Sequence, residues 1–542
     1  MTSQQQDVPH AARGTGATPT PLSWFPLSYK EGFSQWWACL PAAAAEHKVL
    51  SYLPYLQHQP PTHLQTGNTV TPPNGDLGSL QSADQSQQGE VAANSLNDPY
   101  GPRRWRSSMV ELSGKNRALN EFSVERIGEE VDQHLVVLHG YGAGLGFFYK
   151  NFEPLSRLKG WQLHALDLLG MGRSTRPSFR IKAKKREHAI KEAEDWFVDA
   201  LEEWRLKRNI DRFTLLGHSM GGYMAVAYAL KYPGRLNKLI LASPVGIPED
   251  PYAMSADMPS ESAMANEVAQ DQSNVARSAS SVQKGDNNIL LKGAPTNDTT
   301  SSNRPPRRMV PKWFAYLWDA NISPFSLVRW AGPLGPRLVS GWTSRRFSHL
   351  PADEAKALHD YSYSIFNLRG SGEYALSYIL APGAFARSPL IRRIHGVGRQ
   401  MIQSPSSSPS EWETAKIRDS SPSQSSSSDS AIDPKSNSQT LAPSVSVQRE
   451  NGIPIVFMYG DHDWMDVKGG MAAQAKLEEE KRRILQNATP EERESDNGSA
   501  KVVVIKNSGH HIYLDGWEEF NRVVLSEMED VARKERRSHD HN

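Results

Sequence analysis

One stretch constrains this chain more than any other: Leu215-Leu216-Gly217-His218-Ser219-Met220-Gly221-Gly222-Tyr223. An apolar run, Phe213 to Leu216, leads into it, and Met224 to Leu230, of helix-forming composition, leads out. Strand, Gly-x-Ser-x-Gly turn and helix in that order describe a nucleophile elbow. The glycines leave room for a sharp turn, and the start of the helix favours negative charge developing beside the serine. Taken alone, the same turn is satisfied by a glycine-rich connection with an incidental serine. The rest of the chain has to decide.

Upstream, His134 to Leu138 is a continuous apolar run ending in His139-Gly140-Tyr141-Gly142, and Trp161 to Leu166 is another, ending in Asp167-Leu-Leu-Gly-Met-Gly-Arg-Ser174. Residues 189–208 are charged and periodic, with Trp196, Phe197, Leu201 and Trp204 on one face, as a helix requires. Lys238 to Ala242, Ile453 to Tyr459 and Lys501 to Ile505 read as further buried strands, and a closing helix runs from about 516 to 533. Strands alternating with helices predict an α/β fold with a mainly parallel sheet flanked by helices. Ser219, an acidic stretch (Gly460-Asp461-His462-Asp463-Trp464-Met465-Asp466) and His510 each follow a strand. The order Ser, Asp, His is that of α/β-hydrolases.

Ser219 is a weak nucleophile unless a base takes its proton. His510 is the candidate base, oriented by Asp463 or by Asp466 three residues further on. Asp463 is favoured by its distance past the strand, but loop geometry decides which carboxylate reaches the imidazole, and Asp461 is read as holding the turn. The backbone N–H groups of Tyr141 and of Met220, the residue after the serine, are the expected oxyanion donors. His139, His218 and His511 are read as structural. Asp515 forms His-x-x-x-x-Asp with His510, a pattern associated with glycerolipid acyltransferases, and it also forms a helix capping box with Glu518 ahead of Phe520, Val523 and Val524. The cap suffices to explain it.

A length of 542 residues with 38% hydrophobic residues, 36 prolines and 39 glycines leaves a good part of the chain outside any core. The expected division is a mostly disordered region 1–101 with an aromatic segment at 21–40, a first core part 102–249, and a disordered insertion 250–306. A helical cap 307–403, a Ser-rich disordered insertion 404–448 and a second core part 449–535 follow. The segment 21–40, with Trp24, Phe25, Phe33, Trp36 and Trp37, suits either a membrane interface or packing onto the body. A net charge of +1 argues against a general nucleic-acid binder. The single cysteine, Cys39, allows no intrachain disulfide and points to a reducing compartment. No run of about 18 apolar residues is present, so no spanning helix is expected. In the cap, Trp313, Phe314, Tyr316, Trp318, Phe325, Trp330 and Trp342 lie among Lys312, Arg329, Arg337, Arg345 and Arg346, which suits docking to an anionic membrane or packing of cap on core. Arg387, Arg392 and Arg393 are candidate contacts for a lipid phosphate.

These motifs together resemble the α/β-hydrolase-domain family of phospholipid hydrolases and lysophospholipid acyltransferases. The family includes the cardiolipin-specific phospholipase of fungal mitochondria, the N-acyl-phosphatidylethanolamine lipases and the lipase co-activator of lipid droplets. The resemblance rests on His139-Gly-Tyr-Gly142, Asp167 to Ser174 and Gly217-His-Ser-Met-Gly-Gly222 in the core, and on Ala331-Gly-Pro-Leu-Gly335 and Ser371-Gly-Glu373 in the cap. It ends with Ser508-Gly-His-His-Ile-Tyr-Leu-Asp515 and Glu518-Glu-Phe-Asn521. It implies a serine hydrolase of membrane glycerophospholipids, possible on cardiolipin, acting without metal or redox cofactor. The alternative it carries is acyl transfer at the same site, from the acyl-enzyme or directly from acyl-CoA, to a lysolipid acceptor, lysophosphatidic acid. An intracellular, peripheral-membrane location is expected, at the mitochondrial inner membrane or else in the cytosol or on lipid droplets. One branch of the family, a non-catalytic regulator, has asparagine in place of the nucleophile, whereas this chain keeps Ser219. In other members the acid matches Asp466, which leaves that choice open.

Overall fold

The computed structural model describes residues 26–56, 95, 97–249, 321–381, 385–403 and 447–540. Residues 1–25 of the expected N-terminal region, with Trp24 and Phe25, residues 57–94, the insertion 250–306 and nearly all of the insertion 404–448 lie outside the described residues, as do Lys312, Trp313, Phe314, Tyr316 and Trp318.

Among the described residues the strands are β1 (Arg103–Glu111), β2 (Ala118–Arg126), β3 (Gln133–Leu138), β4 (Trp161–Leu166), β5 (Phe213–His218) and β6 (Leu236–Ala242). They continue with β7 (Met401–Gln403), β8 (Val447–Arg449), β9 (Pro454–Gly460) and β10 (Ser499–Ile505). Eight of them make one sheet in the order β1-β2-β4-β3-β5-β6-β9-β10. β2 runs antiparallel to both β1 and β4, and the ladders from β4 to β10 are parallel. β7 and β8 form a separate antiparallel pair, so the Ser-rich excursion leaves and re-enters the body at one place.

The central strands read as unbroken apolar runs because both of their faces are covered. Alternate residues enter two different cores. Val136, Leu138, Leu215, Leu239 and Phe457 join one. Leu135, Val137, Leu216, Ile240 and Val456 join the other. Helices Arg186–Lys207 and Met220–Lys231 cover the first face. The second is covered by Tyr149–Leu155, Trp517–Asp540 and the cap helices Pro324–Trp330, Gly335–Arg346 and Ala352–Phe366. Phe325, Phe347, Tyr361 and Phe366 bury their rings there, so part of the aromatic cap is core, while Trp330 is 69% exposed.

The N-terminal region differs from expectation. Two helices stand within it, Tyr29–Ala38 and Ala42–Leu50, and the body therefore begins well before residue 102. The first is started by a capping box between Ser28 and Glu31. Its Gly32 lies against Pro333 and Arg337 of the cap, and Arg337 also donates to the carbonyl of Leu27 at 2.9 Å. The second buries Ala42, Ala45, Val49 and Leu50 in the second core together with a fully buried Glu46. Four alanines in a row concealed this helix in a region otherwise rich in turn formers.

Candidate active site

The serine turn takes the form its sequence requires. β5 ends at His218, a helix begins at Met220, and Ser219 between them has φ 51° and ψ −115°. A non-glycine residue in that region is strained and survives where the surroundings hold it. Here Ser219 N–H donates to the Ala242 carbonyl at 2.9 Å, and the Ser219 carbonyl accepts from Tyr223 and Val245. Close approach explains two of the glycines. A Cβ on Gly217 would sit 2.4 Å from the Gly221 carbonyl oxygen, and one on Gly140 would sit 3.0 Å from Ser219 Cβ.

His510 lies on the loop after β10. Its Nε2 stands 3.0 Å from Ser219 Oγ and its Nδ1 3.0 Å from Asp463 Oδ1. The Asp463 side chain is fully buried and also accepts the Met465 N–H at 2.9 Å, so its carboxylate is fixed by its own turn. Asp466, the alternative acid, is corrected by the structure. It is exposed and caps the helix Val467–Gln486, accepting the Lys468 N–H at 2.9 Å. Asp461 holds the turn as expected. Its two oxygens accept the N–H groups of Asn507 and Ser508, which lead into the histidine loop. Burial raises its pKa, yet these bonds and His462 outweigh burial and hold the carboxyl below its ordinary range.

The N–H of Met220 opens a helix, where first-turn donors have no intrahelical acceptor. Tyr141 lies on the loop that Gly140 brings against Ser219. Among the described residues no backbone acceptor takes either N–H. The Tyr141 ring stacks on Phe325 of the cap at 5.1 Å, and its hydroxyl meets Ser323. His139 is structural. Its Nε2 accepts the Leu168 N–H, so Nδ1 carries the proton toward the Gly140 carbonyl. Burial pushes its pKa down to about 4.

Two residues read from the sequence as structural stand as struts behind His510. His218 donates Nε2–H to the His510 carbonyl at 3.0 Å, and its burial keeps it neutral. Asp515 is structural, but not as a capping box. Its Oδ2 accepts the Gly509 N–H at 3.1 Å and its Oδ1 pairs with Arg346 of the cap at 2.8 Å, while Arg346 Nε donates to His511 Nδ1. The carboxylate is drawn to these two donors instead of to the N–H of Glu518. The candidate phosphate contacts are differently engaged. Arg387 Nε donates to the carbonyls of Ser377 and Leu380, Arg392 pairs with Glu249, and Arg393 pairs with Glu194 and Tyr223. Arg329 is likewise held by Glu373 at 2.6 Å. Among the described residues no group of three or more His, Cys, Asp or Glu is placed to hold a metal ion. None of the described helices is long and apolar enough to cross a membrane.

Residues 133–331 match the family defined by the alpha/beta hydrolase fold. Curated relatives extend the match. A 1-acylglycerol-3-phosphate O-acyltransferase of Arabidopsis thaliana is 29% identical over 433 residues, covering 79% of this chain and 72% of its own. The 1-acylglycerol-3-phosphate O-acyltransferase ABHD5 of Mus musculus is 31% identical over 301 residues, covering 55% of this chain and 68% of its own. The (lyso)-N-acylphosphatidylethanolamine lipase of Homo sapiens is 26% identical over 393 residues, covering 72% and 77%.

Proposed function

The chain belongs to the α/β-hydrolase family of phospholipid hydrolases and lysophospholipid acyltransferases, and from that premise we propose that it is a serine hydrolase of acyl esters in membrane glycerophospholipids. The observation that carries this reading is the hydrogen-bonded line Ser219–His510–Asp463. Ser219 Oγ attacks the acyl carbonyl while His510 Nε2 takes its proton, and Asp463 orients the imidazole and stabilises its charge. The carbonyl oxygen becomes an oxyanion between the N–H groups of Tyr141 and Met220. Collapse breaks the ester bond. His510 returns the proton to the departing lysolipid oxygen, and water, activated by the same imidazole, releases the fatty acid from Ser219.

A lipid surface is the partner this reading requires, and the exposed apolar side chains support it. Tyr29, Phe33 and Trp37 project from the N-terminal helix, and Trp330, Leu334 and Leu338 from the cap elements it adjoins. Large exposed apolar side chains in such number mark an interaction surface, and tryptophan and tyrosine suit headgroup depth. We propose an intracellular membrane surface as its location.

A second reading is favoured by the names of the acyltransferase relatives: the Ser219 acyl-enzyme passes its acyl group to 1-acylglycerol-3-phosphate. The engagement of Asp515 by Arg346 and Gly509 supports a route through Ser219 over one through a His510–Asp515 dyad. Incubating purified protein with acyl-labelled phospholipid vesicles, cardiolipin first among headgroups, with and without the lysolipid acceptor, separates the two. Labelled fatty acid unaffected by acceptor is expected for hydrolysis, whereas label moving into the acceptor identifies transfer. Absence of both, with unchanged lipid turnover in cells carrying Ser219→Ala, identifies a regulator.

A further inference from the structure

Behind the oxyanion loop lies a fully buried polar cluster drawn from four separate parts of the chain. Glu46 comes from the helix Ala42–Leu50, Asn120 from β2, Asp167 and Arg173 from the loop after β4, and Tyr361 from the cap helix Ala352–Phe366. Asn120 Nδ2 donates to Asp167 Oδ2 at 2.8 Å and to Glu46 Oε2 at 3.1 Å. Arg173 Nη1 donates to Glu46 Oε1 at 2.5 Å, while its backbone N–H donates to Asp167 Oδ2 at 2.8 Å. The cluster grips one short turn. Asp167 Oδ1 accepts the Leu145 N–H at 2.7 Å, and Tyr361 Oη accepts the Gly146 N–H at 3.4 Å. Tyr361 fits so closely that a Cβ on Gly144 would meet its hydroxyl at 2.2 Å.

We propose that Glu46 is a positioning residue for the oxyanion loop, which makes the segment ahead of the hydrolase core a working part of the active site. Tyr361 Oη donates to Glu46 Oε2 at 3.1 Å. That bond commits the hydroxyl hydrogen and leaves its lone pairs to Gly146. Through Asn120, Glu46 also holds Asp167 Oδ2 and so orients the carboxylate whose other oxygen, Oδ1, takes the Leu145 N–H. Two arms thus run from one carboxylate to adjacent N–H groups, four and five residues past Tyr141. Without Glu46 the Tyr361 hydroxyl is released to turn toward Asp167, where it competes with Leu145 for the carboxylate. Burial raises the pKa of both carboxyls, against the lowering that Arg173 exerts on each.

The inference rests on Ser219 as nucleophile and Tyr141 N–H as oxyanion donor, and its test separates the two claims. Glu46→Gln keeps the shape and removes the charge. Tyr361→Phe keeps the ring and removes the hydroxyl. Each is expected to lower kcat about tenfold or more with KM within about twofold, because a small displacement of a donor acts on the transition state. A trifluoromethyl ketone lipid analogue bonds its carbonyl carbon to Ser219 Oγ, passes the serine proton to His510 and places its oxyanion in the hole. Its affinity is expected to fall by the same factor as kcat/KM, while the matching ether lipid, which has no carbonyl, keeps its Kd. Equal weakening of both ligands, a raised KM at unchanged kcat, or unchanged kinetics overturns the role of Glu46. Where Glu46→Gln fails to fold, Tyr361→Phe carries the same comparison. Loss of turnover in Ser219→Ala with normal kcat in both cluster variants overturns the Glu46 claim alone. Retained turnover in Ser219→Ala overturns the nucleophile and with it the loop's function.

Discussion

His218 donates its Nε2–H to the main-chain oxygen of His510 at 3.0 Å, so the residue before the candidate nucleophile holds the backbone of the candidate base. The two imidazoles also lie 4.9 Å apart, centroid to centroid. Strain at the elbow is thereby tied to the loop that must present Nε2 to Ser219. Replacing His218 by Phe keeps a ring and leaves a buried carbonyl without its donor, a loss of about 1–3 kcal/mol of stability. A fall in kcat of about tenfold is expected with it, since the base loses a positional restraint. Urea unfolding and steady-state kinetics check both, and normal kcat at reduced stability would show the bond to be structural only.

The two acids separate in one experiment. Asp463→Asn is expected to lower kcat by about three to four orders of magnitude, the scale seen when a triad acid is neutralised in place. Asp466→Ala is expected to leave kcat within a few-fold and to cost about 1 kcal/mol of stability through the lost helix cap. The reverse pattern in kinetics would reassign the acid.

That choice shows where the sequence stops being legible. The apolar runs of β3, β5, β6 and β9, the serine turn and the order of motifs are local, and each is readable because burial on both faces leaves a continuous signal. Whether Asp463 or Asp466 meets His510 depends on the turn closed by the Asp463 N–H on the Gly460 carbonyl, which spacing does not encode. Glu46 was hidden for a related reason. Its partners Asn120, Arg173 and Tyr361 lie 74, 127 and 315 positions away, so nothing near Glu46 marks it as a buried group. Asp515 misled in the opposite direction, because a satisfactory local capping pattern was overridden by Arg346 from the cap.

Stability is expected to fall on mild acidification. Burial pushes His359 down to about 3 and His139 to about 4. A histidine whose folded pKa lies below its unfolded value of about 6.5 binds fewer protons than the unfolded chain between those limits. Its contribution is therefore intact above that window and drains as pH falls through it. Glu46 and Asp167, raised by burial, act in the opposite sense: what they contribute is present at low pH and lost as pH rises through their folded values. His359→Gln isolates the histidine effect, since His359 lies in the cap between Thr343 and Gln35, away from Ser219. Wild type is expected to lose about 2–3 kcal/mol through this one group between about pH 6.5 and about pH 4.5, and the variant to lack that part. Identical pH slopes for the two proteins would contradict the assignment.

Membrane docking is tested at Trp37 and Trp330, 75% and 69% exposed. Either Trp→Ala change removes apolar area worth about 1–2 kcal/mol on insertion, so binding to phospholipid vesicles is expected to weaken about tenfold. Activity on vesicles should fall more than activity on a monomeric ester, measured by flotation and by parallel assays. Equal effects on both substrates would remove these side chains from the docking surface.

The proposed chemistry begins at Ser219. Acid-quenching the enzyme during turnover of an acyl-labelled glycerophospholipid, followed by peptide mass mapping, reads the intermediate directly. The expected result is an acyl ester on Ser219, with turnover in Ser219→Ala lower by several orders of magnitude. No acyl group on Ser219, together with undiminished lipid turnover by Ser219→Ala, would contradict it.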